Sequence, residues 1–190
     1  MKAEQLWETY KTLMTATQTI WAFTLALTFS AGWIDWRTRR IPNWLTVPCL
    51  FLGIGIHSVI TGWHGALMSL EGIGLALVIL LPLVLMRALG AGDWKLMGAV
   101  GAFLGPQMFL FVLLASVFLS GLMAIAMMVF THRVKTTLRN LVVLVQGFFV
   151  FGLRPNPEIS LDNPTLLKLP FGVAVATGTL LCFLATRWAV

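Results

Sequence analysis

Two of the seven acidic side chains in this 190-residue chain stand where a carboxylate is costly. Asp35 follows a run without charge from Thr12 to Ile34. Asp93 lies in Arg87-Ala88-Leu89-Gly90-Ala91-Gly92-Asp93-Trp94-Lys95-Leu96, between two further apolar runs. Ionisable groups beside lipid are functional candidates by default. Two carboxylates brought together in a low-dielectric setting cannot both ionise easily, so they share a proton. Such a pair suits peptide hydrolysis, in which the ionised member activates water and the protonated one polarises the scissile carbonyl. Gly90 and Gly92 would let a substrate backbone approach closely and would let the chain take positive φ. A helix beginning at Asp93 would favour its charged form through the helix dipole. Each aspartate alone also has a plainer reading. Asp35 can pair with Arg37 or Arg39, and Asp93 can cap a helix.

Other chemistries find less support. Glu4, Glu8, Glu71, Glu158 and Asp162 fall in the terminal segment, at the outer interface or in a polar loop, where carboxylates are solvated. There is no His-Glu-x-x-His and no Cys-x-x-Cys, which removes the zinc-protease and zinc-ribbon patterns, and no metal site or cofactor is expected. Ser116 and Ser120 fall within an apolar helix with no histidine near them in sequence. His57, His64 and His132 are scattered, as packing or capping residues are. Cys49 and Cys182 read as small buried hydrophobes.

The elements that must position Asp35 and Asp93 are membrane helices. With 58% hydrophobic and 11% charged residues, a soluble domain of this size could not cover its surface with polar groups. The net charge of +6 comes from cations set between apolar runs, as membrane topology requires, rather than from a basic stripe, so nucleic acid is not an expected partner. The expected fold is all-α and polytopic: one domain over residues 1–190, with six transmembrane helices, a short fourth helix, and an interfacial segment between the fifth and sixth.

The first span runs from Thr12 to Ile34, after an interfacial stretch over residues 1–11. It is too long for a signal-peptide core, and its basic flank follows it. A second helix is expected from about Asn43 to Ile60, opened by Pro42, with Thr61-Gly62-Trp63-His64-Gly65 as the far turn. A third runs from about Leu67 to Leu89 and is kinked at Pro82. The run from Lys95 to Thr131 is too long for one crossing. Gly105-Pro106 divides it into a short fourth helix, Asp93 to Leu104, and a fifth, Gln107 to Phe130. At 1.5 Å per residue the fourth spans at most about 18 Å, so one of its ends must be sheltered inside the bilayer. The 14 apolar residues Asn140–Leu153 suit an interfacial segment, and the last span runs from Leu169 to Thr186. On this topology the loops after spans one, three and five carry ten of the 13 Lys and Arg residues. The positive-inside rule then places both aspartates on the cytoplasmic face and both termini outside.

The wording around the aspartates resembles a known family. Asp35, five residues, then Ile41-Pro42-Asn43 is similar to the first aspartate motif of the type IV prepilin peptidases. Gly90-Ala91-Gly92-Asp93-Trp94-Lys95-Leu96 matches their second, GxGD followed by x-Lys-Leu. Leu169-Pro170-Phe171-Gly172 resembles their entry to the last helix. GxGD alone is shared with presenilin-like proteases, whereas the combination is specific.

The resemblance implies a cofactor-free membrane aspartyl endopeptidase with Asp35 and Asp93 as the catalytic pair. Gly90, Gly92, Lys95, Pro42 and Pro170 would support the site or the substrate. The implied substrate is a prepilin, cut on the cytoplasmic face of the inner membrane after a glycine that precedes its hydrophobic helix. The pilus assembly machinery is a possible further partner. Larger members add a four-cysteine zinc domain and N-methylate the product. Without Cys-x-x-Cys, this chain resembles the short peptidase-only branch, that of tight-adherence (Flp) pilus systems or archaeal preflagellin peptidases, and Arg37-Thr38-Arg39-Arg40-Ile41-Pro42-Asn43 leans to the Flp type. The competing readings are a non-enzymatic scaffold of a pilus or secretion assembly, and a proton-coupled transporter, against which stands the lack of an inverted repeat.

Overall fold

The computed structural model describes residues 2–131, 138–139, 142–143 and 169–188. The expected interfacial segment at 140–153 and the polar loop after it fall almost wholly outside these residues. Among the described residues the long elements are five helices: α1 (Lys2–Thr38), α2 (Asn43–Thr61), α3 (Trp63–Leu85), α4 (Ala91–Phe130) and α5 (Phe171–Trp188). Of these, α2, α3, α4 and α5 are long and apolar enough to cross a membrane. The expected count of six spans rests in addition on α1 and on taking the two arms of α4 as separate crossings.

Three boundaries differ from the sequence expectation. Residues 2–11 do not form a separate interfacial stretch but continue into α1, a single helix of 37 residues. The third helix begins at Trp63 rather than near Leu67, because Gly62 alone, at φ 63° and ψ −141°, makes the turn. Gly65, expected in that turn, sits instead in the first turn of α3 against the His57 carbonyl. At its other end α3 stops at Leu85. Arg87 is left-handed (φ 54°), and the N–H groups of Ala88 and Leu89 both return to the Leu83 carbonyl.

The centre of the molecule is the first arm of α4. Every residue from Leu96 to Gly105 is buried. A helix apolar on all sides must be surrounded on all sides, and here α1, α2 and α3 pack around this arm. Phe23 of α1 stacks on Phe103, with ring centroids 6.3 Å apart. Small residues let the backbones approach: a Cβ on Gly53 would lie 2.8 Å from Ala102 Cβ, and Gly72 of α3 meets Gly101 backbone to backbone.

Gly105, at φ 68° and ψ 176°, breaks α4, as Gly105-Pro106 predicts. The chain then doubles back. Gly105 packs against Met68, near the Trp63 end of α3. A straight helix would carry Ser116 about 16 Å further on. Instead, a Cβ on Gly178 of α5 would lie 2.8 Å from Ser116 Oγ, about 9 Å from Gly172 at the other end of the bundle.

The break leaves carbonyls without intrahelical partners, because Pro106 has no N–H and Gly105 leaves the helical path. Two side chains from other helices satisfy them. Ser69 Oγ donates to the Ala102 carbonyl at 2.7 Å, and His57 Nε2 donates to the Phe103 carbonyl at 2.7 Å. A carbonyl can only accept, so the His57 proton is on Nε2. His57→Leu removes the donor and leaves a buried carbonyl orphaned. We expect it to lower stability by about 1–3 kcal/mol, read as thermal unfolding of the purified protein in detergent, with Ser69→Ala behaving similarly. A variant as stable as the parent would show that the break needs no cap.

Candidate active site

Three stretches far apart in sequence converge at one end of this bundle. The last turn of α1 carries Asp35, which is 6% exposed. The first turn of α4 carries Asp93, half-buried. The first turn of α5 carries Gly172. Exposed tryptophans mark the same end, Trp33 and Trp36 on α1 and Trp44 on α2, while Trp7, Trp63 and Trp188 mark the opposite one. Two such aromatic belts are the signature of the two membrane interfaces, which puts the aspartates at one of them.

Asp35 is held by α5. Its Oδ2 accepts the Gly172 N–H at 2.8 Å. That N–H is one of the first-turn donors that a helix cannot satisfy internally, so the carboxylate sits at the positive end of α5. Pro170 prepares this end. It is fully buried, and its carbonyl accepts the Val173 N–H at 3.1 Å, which starts the helix. Gly172 must be glycine for close approach: a Cβ there would lie 3.0 Å from Asp35 Cβ and 3.1 Å from Oδ2. Burial raises the Asp35 carboxyl above the ordinary aspartate range, against the Gly172 N–H and the nearby Arg39 guanidinium, which both favour the ionised form. Arg39, left-handed at φ 55°, closes α1 by donating its N–H to the Asp35 carbonyl at 2.9 Å. Arg37, the other expected partner, lies over the Trp33 ring, 4.7 Å from its centroid.

Asp93 is the third residue of α4, and Gly90 is its N-cap at φ −70° and ψ 143°. The carboxylate reaches back to accept the Gly90 N–H, the reciprocal half of a capping box. Asp93 is therefore not the N-cap itself. The negative charge of Asp35 acts on Asp93 across the gap between α1 and α4, so the two carboxylates are electrostatic neighbours.

The glycines of this stretch serve differently from the expectation. Neither has positive φ; among the described residues only Gly62 and Gly105 do among glycines. A Cβ on Gly90 would lie 3.0 Å from Asp93 Oδ2, and one on Gly92 would lie 3.0 Å from the Ile41 carbonyl oxygen and 3.1 Å from Ile41 Cβ. Both make room for the protein's own chain around Asp93. Pro42, extended at φ −77° and ψ 145°, is the N-cap of α2. Lys95 Nζ donates to Asn43 Oδ1 at 3.0 Å, and Trp94 Nε1 donates to the Leu77 carbonyl of α3 at 3.0 Å. Sequence reasoning passed over Gly172, Ile41 and Trp94 as site residues. All three lie inside the motifs quoted above, Trp94 at the variable position after Asp93. Among the described residues no group of three or more His, Cys, Asp or Glu side chains is placed to hold a metal ion.

Fold and site together define a class: an all-helical, integral membrane protein with two neighbouring carboxylates at one interface. The type IV leader peptidase family matches residues 22–125, which include both Asp35 and Asp93, and the chain belongs to that family. It is thus a membrane protease of the prepilin leader peptidase kind. No curated protein and no solved structure matched the chain.

Proposed function

We propose that this protein is an aspartyl endopeptidase that removes the basic leader from prepilins at the cytoplasmic face of the inner membrane, with Asp35 and Asp93 as the catalytic pair. The observation that carries this reading is that two carboxylates 58 positions apart stand at the same end of the bundle, each accepting a backbone N–H at a helix N-terminus.

In the proposed reaction the ionised carboxylate takes a proton from water, and the water oxygen attacks the scissile carbonyl carbon. The protonated carboxylate gives its proton to the carbonyl oxygen, forming a neutral gem-diol. Collapse of the gem-diol breaks the C–N bond, with a proton passed to the departing amine. No cofactor takes part. Burial supports this division of labour by keeping one proton in the pair, and the fixed N–H donors keep both side chains oriented. A site at the interface suits a substrate whose leader is polar and whose following segment is apolar.

Cleavage of a prepilin by the purified protein tests the activity. Cysteine labelling tests the orientation: Arg40→Cys, in the exposed connection beside Asp35, should react with a membrane-impermeant maleimide only after the cells are opened. Labelling from outside would reverse the proposed topology. Uncleaved precursor would favour the scaffold reading.

A further inference from the structure

The two aspartates are joined physically by the short connection between α1 and α2, residues 39–42, together with Asn43. Each end of this strap is fixed. At the Asp35 end, the Arg39 N–H closes α1. At the other end the strap lies across the first turn of α4. Ile41, 8% exposed, rests on the bare face of Gly92, and Asn43 receives the Lys95 ammonium. Gly92 and Lys95 are three residues apart, on one face of α4, and Asp93, between them in sequence, projects from another face. On the far side Trp94 is tied to α3 through the Leu77 carbonyl. The first turn of α4 is thus gripped by two helices, and its rotation about its own axis, which aims Asp93, is fixed by those grips.

We propose that Lys95 is a positioning residue. Through Asn43 it locks the strap onto the first turn of α4 and so sets Asp93 against Asp35. The proposal rests on the peptidase reading for its kinetic consequences. It assigns the Lys95 ammonium a structural acceptor on α2 rather than a place on the substrate. On this proposal Lys95 works by geometry, through its bond to Asn43.

The test compares Lys95→Met, which keeps the apolar stem but no donor, with Asn43→Ala, the double variant and Asn43→Asp. A misaimed catalytic group costs roughly 10- to 100-fold. We expect each single variant to lose about that much in kcat, with KM and both limbs of the pH profile unmoved. The double variant should be no worse than either single one, since both remove the same link. Asn43→Asp should recover most of the activity, because a carboxylate accepts from the ammonium more strongly than an amide does.

A pH profile displaced by about one unit in Lys95→Met but not in Asn43→Ala would overturn the proposal in favour of direct electrostatic tuning. A raised KM at unchanged kcat would make Lys95 a substrate contact. Losses that multiply in the double variant would deny the coupling. Should Lys95→Met fail to fold, Asn43→Leu against Asn43→Asp reads the same kcat loss and rescue. A double-mutant cycle on thermal unfolding needs no substrate, so it tests the link even if the wild-type protein cleaves no prepilin, an outcome that would count against the peptidase reading alone.

Discussion

Asp93→Asn should leave a folded protein whose prepilin cleavage is slower by roughly 10²- to 10⁴-fold, and Asp35→Asn should do the same. The substitution is conservative where it matters for folding. An asparagine at 35 still offers a carbonyl oxygen to the Gly172 N–H, and one at 93 still offers an oxygen to the Gly90 N–H. What is lost is the capacity to hold or take a proton. The double variant should be hardly slower than either single one, because residues that act as a unit do not contribute separately. Gly172→Ala gives a graded comparison: its Cβ displaces Asp35 without changing its chemistry, and about a tenfold loss is expected. The wild-type pH profile should also carry the mark of burial at Asp35. Its raised carboxyl keeps a proton above the ordinary value of about 4, so activity should persist to higher pH than free aspartic acid would allow. Retained activity in either asparagine variant, measured on purified protein with an unchanged melting profile, would remove that aspartate from the mechanism.

The second large effect is expected far from the aspartates, at Gly72→Ala. A Cβ on Gly72 would overlap the Gly101 carbonyl oxygen and lie 2.8 Å from its carbonyl carbon; a Cβ on Gly101 would overlap Gly72 in the same way. The obstruction is backbone on both sides, so no rotamer change can relieve it, and α3 and α4 must separate. Overpacking in a close-packed interior commonly costs 1–3 kcal/mol, occasionally more. With two backbones in contact we expect about 3 kcal/mol or more, read as a collapsed yield or a much lower melting temperature in detergent. Gly72→Ala and Gly101→Ala together should cost little more than one alone, because the first substitution already opens the crossing. Gly74→Ala, on the same helix with nothing within 4 Å, should be neutral or slightly stabilising. Equal effects at 72 and 74 would mean that helix propensity rather than the crossing governs this helix.

What the sequence made legible follows from chemistry that is local. The charge-free runs named the membrane helices, and the start of α2 at Asn43 follows from Pro42. The break at Gly105-Pro106 was readable because the charge-free run after Lys95 is too long for one crossing and a glycine followed by a proline without an N–H is its weakest point. That Asp35 and Asp93 lie at the same end of the bundle was readable because one closes the first span and the other opens the fourth helix. What stayed hidden depends on rotation and depth. His57 reads in sequence as a packing or capping residue, and it is a cap, but of a helix end 46 residues away. Finding it requires the register between α2 and α4. Lys95 and Asn43 belong to two separate motifs, and only the crossing of their helices makes them partners. The glycines at 90 and 92 mislead for a related reason: small size serves positive φ or close approach, and the residue type does not say which. The extent of α1 was missed because charged residues at 2–11 read as an interface, although nothing in them stops a helix.

The hydrogen bond between Asp35 and Gly172 spans 137 residues of chain, and that separation has a consequence in time. A ribosome adding about 5–20 residues per second makes Asp35 roughly 7–27 s before it makes Gly172. Throughout that interval the first aspartate lacks the donor that orients it, and once residue 93 has been made its partner waits with it until Gly172 follows. A nascent chain therefore carries both carboxylates before it carries a finished site. On the proposed mechanism, α5 completes the site, so hydrolysis is withheld until α5 has been made.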